Sequence, residues 1–553
     1  MATQTTLRVG TSAEITALET IVLAADRAAA KLLDTAVIKA LYLLEPGREG
    51  IFKWTSGNFS SLITVDVQEG VYLKANGVAS SVGAWVRQRD GLDLNVTWFG
   101  ASVDKVDNTT AFIAAANLFG FCSIYIPRGT FNFTATITSN AGFTHWYGEG
   151  RDQTILQWNA DCDGFSFGAV SPSGSTVIED MSLFTTVGAP TRAAIRGVFI
   201  PAMLKGLTVS RCTFRGETPF PDYWGTGIKT HNANSPVFSD LDFFGRSSTV
   251  SADWALTNAA IECTADTGVS LYMFDNIHTL NYHVGLKFSA STTPCIEGVF
   301  VRNCNLVFGN YGIHANFSAI PGTARTLHYD IQSSHVEATI QALYFNKVHT
   351  VTVKDILILA APWQNLAGDM VQFVNCDKID TDNIRIVKRP VHTTLRGIVL
   401  NGCTDASIKN TTGDSPAGRS LVRFEGAASG LVEDGKTRQE GAGIAFEDVS
   451  STPTANRGGR LTAPNGWRWN GDILEQWGVF TGTTDVNGDI VVPYPRFFPN
   501  ACYSVVAINS STSNTVTGSE AVSTRSPGIG DVVVRCLGAA NASRTIRWEA
   551  KGK

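Results

Sequence analysis

The chain has 553 residues, 44 basic and 49 acidic side chains, a net charge of −5 and 44% hydrophobic residues. Only 17% of residues are charged, against about 25% in an average globular protein, and the apolar content excludes a disordered chain. The negative balance excludes a duplex nucleic-acid binder, which needs a basic face against phosphates, and no apolar run reaches the roughly 20 residues of a membrane span.

The opening Met1-Ala2-Thr3-Gln4 lacks the basic-then-apolar order of a secretion signal. Thr11 and Glu14 have capping-box spacing, and Ile15, Leu18, Val22, Ala25, Ala29 and Leu32 follow at helical intervals. This predicts one N-terminal helix, either an ordinary amphipathic helix or a contact between sister chains. After Pro46-Gly47 the pattern changes to short strands, ending near Gly83-Ala84-Trp85-Val86-Arg87. Residues 1–90 read as a small adaptor region.

From residue 91 to 450 short β-rich runs recur, and helical periodicity appears once, at Asn108–Asn117. The runs Gly227-Ile228-Lys229-Thr230, Ala260-Ile261-Glu262-Cys263, Gly285-Leu286-Lys287-Phe288, Gly312-Ile313-His314-Ala315, Ala342-Leu343-Tyr344-Phe345 and Met370-Val371-Gln372-Phe373 line up. Their outward candidates Lys229, Glu262, Lys287, His314, Tyr344 and Gln372 lie 33, 25, 27, 30 and 28 residues apart. A period of this size predicts a solenoid. Asp240, Asp275, Asn303, Ser333, Asp355, Asp382 and Asn410 recur with it. Such residues tolerate left-handed backbone, so they are expected to form a polar ladder along one corner. Alternation places Leu286/Phe288, Ile313/Ala315, Leu343/Phe345 and Val371/Phe373 inside, beneath a flat and mostly uncharged exterior.

A Gly/Ser/Pro/Arg-rich stretch, Ser450–Arg460, breaks the period. Residues 461–553 alternate around turns such as Asp485-Val486-Asn487-Gly488, which predicts a small antiparallel β-domain. The ten cysteines, Cys122 to Cys536, form no CxxC pair and no zinc-type spacing. They read as small buried hydrophobes made in a reducing cytosol, with no metal and no cofactor expected. A protein without an export signal still acts outside a cell once lysis releases it.

Several segments carry a resemblance. Val96-Thr97-Trp98-Phe99-Gly100-Ala101, then Asp107-Asn108-Thr109-Thr110-Ala111-Phe112, then Ile124-Tyr125-Ile126-Pro127-Arg128-Gly129-Thr130-Phe131 and Trp146-Tyr147-Gly148-Glu149-Gly150 resemble the opening of the pectate-lyase-like right-handed parallel β-helices. One departure is Asn108, where many members keep a second Asp. Asn465-Gly466-Trp467, Gln476-Trp477-Gly478 and Phe497-Phe498-Pro499-Asn500-Ala501-Cys502 resemble the tip domains of phage tail fibres and spikes. Gly47-Arg48-Glu49-Gly50-Ile51-Phe52-Lys53-Trp54 resembles a short domain found ahead of the helix in phage tail proteins. Together these imply an all-β, homotrimeric phage tailspike with polysaccharide depolymerase activity, located in the virion tail. Its N-terminus is expected to join other tail or baseplate proteins. The C-terminal domain is expected to trimerise the chain or bind a receptor. The expected partner is bacterial surface polysaccharide, with no nucleic acid and no membrane insertion.

The candidate track is the stripe Lys229, Glu262, Lys287, His314, Tyr344 and Gln372. Neighbouring rungs lie about 4.8 Å apart, close to the length of a sugar unit. The same pattern also fits a solvated strand face. Insertions bring Asp222, Tyr223 and Trp224, then Asp253 and Trp254, then Trp363, towards the stripe; their rings are expected to stack on sugars, or else to pack onto the helix. Glycoside hydrolysis needs two carboxyl groups, about 5–5.5 Å apart for retention or 6.5–9.5 Å for inversion. Glu262 is the expected first member, with Asp253 or Asp222 as the second and Asp240 and Asp242 in reserve. The alternative chemistry is β-elimination at a uronate, with Lys287, His314 and Tyr344 in the proton-transfer roles. A non-catalytic receptor-binding fibre is the remaining alternative.

Overall fold

The computed structural model describes residues 21–553 except 90, 92, 140–141, 169–174, 200–205, 267, 291–295, 319–326, 362–367, 389–393, 429, 433–436, 441, 450–459, 462–465, 471–472, 496–497, 499, 510–521, 526, 529 and 537–540. The repeat region forms a β-solenoid of about 11 turns. Two compact units divide the chain, residues 1–310 and 311–553.

The first unit opens with a five-stranded sheet in the order Ile21–Ala24, Ala40–Leu43, Gly50–Ser56, Gly83–Arg87, Tyr72–Leu73. This corrects the predicted N-terminal helix where the chain is described. Val22 sits in a strand opposite Leu41, and the helix covers only Arg27–Lys31. Asp26 decides this locally, because its carboxylate accepts the Ala29 N–H at 2.7 Å and so starts the helix there. Leu32 is exposed rather than part of a seam. Thr11, Glu14, Ile15 and Leu18 lie outside the described residues.

The predicted helix at 108–117 is present as Thr109–Asn117. Asp107 accepts the N–H groups of Thr109 and Thr134 at 3.0 and 3.2 Å, tying the helix start to the first rungs. Phe112 is buried among Phe131, Phe133 and Trp146. Within the repeat region, a one-turn helix that periodicity did not reveal lies at Ser251–Trp254. Parallel strands then stack rung on rung, with Ile228 opposite Ile261 and Ile261 opposite Leu286, all fully buried.

The second unit continues the same plan. Leu343 stands opposite Val371 and Phe345 opposite Phe373, with the two phenyl rings stacked at 5.7 Å. Ile313, Ala315, Leu343, Phe345, Val371 and Phe373 are all buried, as alternation predicts. Cys263, Cys376 and Cys403 are buried thiols, and no disulfide occurs among the described residues. After the solenoid, an antiparallel five-stranded sheet and a three-stranded sheet follow. Asp485 shapes the predicted turn by accepting the N–H groups of Asn487 and Asp489, both at 2.8 Å, before Gly488 at φ +81°. The Ser450–Arg460 break lies almost wholly outside the described residues.

The corner ladder exists in both units, displaced by one residue at two rungs. Left-handed backbone occurs at Asp240, Asn276, Asn303, Ser333, Asp355, Asn383 and Asn410, not at Asp275 or Asp382. The displaced aspartates act as acceptors instead. Asn303 donates to Asp275 at 2.8 Å, and Asn410 donates to Asp382. Asn276 likewise donates to Asp240 at 2.7 Å and Asn383 to Asp355 at 2.6 Å. Asp240 is therefore a corner residue. Asp242 pairs with Arg151 and with His278 at 3.2 Å.

Candidate functional site

In the first unit the strands Tyr223–His231, Ala259–Ala265 and Val284–Ala290 stack so that Lys229, Glu262 and Lys287 share one register. Alternation buries Ile228, Ile261 and Leu286 and turns these three charges outward. Glu262 is nevertheless only 5% exposed. Its carboxylate lies between the Lys229 and Lys287 ammonium groups, each at 2.9 Å. Burial pushes the Glu262 pKa up, but the two lysines outweigh it and hold the carboxyl below its ordinary value. Arg196 occupies the same register one rung earlier and pairs with Asp163 at 2.6 Å. The expected uncharged exterior is thus corrected here: this face is a ladder of ion pairs.

Three residues beside the ladder were not singled out from the sequence. Asn258 accepts a hydrogen bond from Lys287 Nζ at 2.8 Å and donates to Thr226 at 3.2 Å. Asn310 donates to the Ser251 carbonyl at 3.1 Å and sits 2.9 Å from His283 Nδ1. Burial, and secondarily Lys287, pushes the His283 pKa down. All three stand two residues ahead of an aligned run, those beginning at Ala260, Gly285 and Gly312, so the period itself carried the signal.

The insertions fold differently from expectation. Tyr223 and Trp224 begin the strand Tyr223–His231 rather than occupying a free loop. Trp224 is fully buried, donates Nε1–H to the Leu183 carbonyl at 3.2 Å and meets Trp158 edge-on. Trp254 is also fully buried and donates to the Ser248 carbonyl at 3.0 Å. Tyr223 is buried beside the Arg246 guanidinium. These rings anchor the insertions onto the sheet, so the expected exposed stacking platforms at Tyr223, Trp224 and Trp254 are corrected. Trp363 lies outside the described residues.

The two loop carboxylates have partners of their own. Asp222 is buried and accepts the Thr218 N–H at 2.9 Å, closing a tight turn. Asp253 accepts the Ser248 hydroxyl at 2.6 Å and faces Arg246 at 3.4 Å. Among the described residues, neither forms a hydrogen bond or ion pair with Glu262, whose partners are the two lysines.

In the second unit, His314 stacks on Tyr344 at 4.8 Å with the planes 20° apart, and Tyr311 meets His314 edge-on at 5.1 Å. Burial pushes the Tyr344 phenol up. Tyr344 stands opposite Gln372, which accepts a hydrogen bond from Gln341 at 3.1 Å. The same register continues through Val399 and Arg423 to Glu447.

A second ion-pair ladder accompanies this stripe. Asp369, 6% exposed, is gripped by Arg396 through Nε at 2.5 Å and Nη2 at 3.1 Å. Arg396 Nη1 also reaches Glu425 at 2.6 Å, and Arg423 bridges Glu425 at 2.6 Å to Glu447 at 2.5 Å. Burial raises the Asp369 pKa, and Arg396 does not fully offset it. The sequence reading missed Asp369 and Arg396, although Asp369 immediately precedes the aligned run Met370-Val371 and Arg396 stands opposite it on the next rung.

Residues 468–553 match the family model described as "Putative tail fiber protein gp53-like, C-terminal". A search of curated proteins gave no match. Among solved structures, the tailspike gp49 of the Acinetobacter baumannii bacteriophage Fri1, a capsular polysaccharide depolymerase, is 12% identical. It matches over 96% of this chain and 98% of its own, with a TM-score of 0.36. The Dettilon tailspike protein gp208 is 10% identical over 83% of this chain and 94% of its own, with a TM-score of 0.46. An N-truncated R1-type pyocin tail fibre is 27% identical over 17% of this chain and 84% of its own, with a TM-score of 0.15.

Proposed function

We propose that this chain is a phage tailspike that binds bacterial capsular or exopolysaccharide and cleaves it by glycoside hydrolysis. The observation that carries the proposal is the Lys229–Glu262–Lys287 ladder, a buried ionised carboxylate set between two cations on an outward strand face. Charged groups repeating at about 4.8 Å along a rigid surface match the repeat of an extended glycan better than a compact cofactor. The tail-fibre family match at residues 468–553 supports a place in a virion tail. In this proposal the solenoid is right-handed, pectate-lyase-like and trimeric. Residues 1–90 attach to other tail proteins, residues 91–450 carry the glycan, and residues 461–553 trimerise the chain or bind the receptor.

Glu262 supplies the ionised member of the catalytic pair. Asp253 is the second member, because its partners, the Ser248 hydroxyl at 2.6 Å and Arg246 at 3.4 Å, are side chains that can turn away for substrate, whereas Asp222 is committed to a backbone turn. Lys229 and Lys287 bind sugar units in the first unit, and His314, Tyr344 and Gln372 do so in the second.

The test is release of new reducing ends from purified host polysaccharide. Glu262→Gln and Asp253→Asn should each lower the rate by tenfold or more. Full activity in Glu262→Gln removes the catalytic assignment. An ultraviolet-absorbing unsaturated uronate would identify a lyase, and tight binding without new ends would identify a non-catalytic fibre.

A further inference from the structure

A cleft of about 120 Å³ opens in the first unit at the ends of three strands stacked on neighbouring rungs, Leu207–Gly216, Val237–Phe244 and Val269–Leu280. It is lined by Arg215, Pro219, Phe244, Ser247, Leu280 and Asn281, with no acidic residue in its wall. It has room for several water-sized groups, enough for a carboxyl group and the ring edge that carries it. Backbone crowding keeps it open. A Cβ at Gly216 would lie 1.9 Å from the Asp222 carbonyl oxygen, and one at Gly245 would lie 2.3 Å from that of Asn281. No side chain from either position can fill the space.

Arg215 differs from most arginines of this unit in facing no carboxylate; Arg87 and Arg89 share that but hydrogen-bond backbone carbonyls. Arg27, Arg151, Arg192, Arg196, Arg211 and Arg246 each face a carboxylate. The Arg215 guanidinium instead lies over the Phe184 ring at 4.2 Å and has no hydrogen-bond or ion-pair partner among the described residues. Its Nε is shielded from solvent without an acceptor. An uncompensated guanidinium held on an aromatic face presents a planar fork suited to a carboxylate. Phe244 and Phe220, 40% and 46% exposed, supply apolar faces that the buried tryptophans do not. Phe220 is itself held by Arg246 at 4.4 Å.

We propose that this cleft is a subsite for a carboxyl-bearing sugar unit, with the carboxylate on Arg215 and the sugar ring against Phe244. The proposal rests on the polysaccharide-binding part of the functional reading and names its substrate class as an acidic glycan.

The experiment uses the full chain and a panel of purified bacterial capsular polysaccharides, neutral and acidic. Each acidic member is supplied native and with its carboxyl groups reduced to primary alcohols. Calorimetric binding and reducing-end release are measured together. At least one native acidic glycan should bind tenfold or more tightly than its reduced form. Arg215→Gln should lower native binding to the reduced-form level and leave the reduced form unchanged, while Arg215→Lys should recover part of the difference. Phe244→Ala should weaken both forms alike. Binding confined to neutral glycans, no binding at all, equal affinity for native and reduced forms, or native binding unaffected in Arg215→Gln each overturns the subsite. Carboxyl-dependent binding without new reducing ends overturns the depolymerase reading and leaves the subsite standing.

Discussion

Two buried carboxylates, one in each unit, show how partner number decides ionisation. Glu262 and Asp369 are equally buried, at 5% and 6% exposure, and both stand beside cations on outward strand faces. Their pKa values nevertheless move in opposite directions. Glu262 has two ammonium groups to itself. Asp369 shares one guanidinium with Glu425, whose charge also repels it. Burial costs both groups, and only the first has enough positive charge to outweigh it.

The largest expected effect is Arg396→Ala, which leaves Asp369 buried without its hydrogen-bonded cation, with Arg423 acting only at longer range, and costs about 3 kcal/mol at neutral pH. The sign with pH follows from the raised folded pKa. Asp369 is tolerated best when protonated, below the ordinary carboxyl value of about 3.9, so the loss should grow as pH rises through the folded value. Thermal unfolding rates of variant and parent across an acid-to-neutral series check this. A loss that shrinks with rising pH breaks the comparison.

Glu262→Gln should cost less, about 1–2 kcal/mol, because Lys229 and Lys287 are 36% and 30% exposed and can turn to solvent. Its pH dependence should run the other way. A depressed folded pKa gives stability that is present above the unfolded value of about 4.3 and lost as pH falls through the folded value. The gap between parent and variant should therefore close in acid, as read by the same unfolding series.

The corner ladder supplies a control, since both units use the same device. Asn276→Ala and Asn383→Ala each lose a side-chain hydrogen bond at left-handed backbone. Each should cost about 1 kcal/mol, with no pH dependence of its own beyond that of the aspartate acceptor. Unequal melting shifts would show that the two units differ in more than charge. The smallest effect is expected for Asp369→Asn, which keeps a hydrogen-bond acceptor for Arg396 and removes a poorly compensated charge. Its stability at neutral pH should stay within about 1 kcal/mol of the parent.

The solenoid was legible because its signal is repetitive. Leu286/Phe288 and Val371/Phe373 recur with alternation of two inside a period near 30, and a register slip would expose every one of them. The Lys229–Glu262–Lys287 alignment followed from that period alone. The loops carried no such redundancy. Trp224 and Trp254 looked like surface platforms because nothing in their neighbours shows which way an insertion folds, yet both rings find carbonyl partners inside. Asp369 and Arg396 were passed over because a lone charge at the first residue of a strand resembles any solvated turn until the adjacent rung is placed against it.

The order of residues settled the rung length, the apolar interior and the outward stripe, since these depend on local alternation and on identical runs stacking in register. Tertiary packing alone decided which charges became partners, which aromatic rings left the surface and that Arg215 stayed without a carboxylate. Those outcomes depend on residues about 30 positions apart coming within about 3 Å, and single-strand chemistry does not encode that choice.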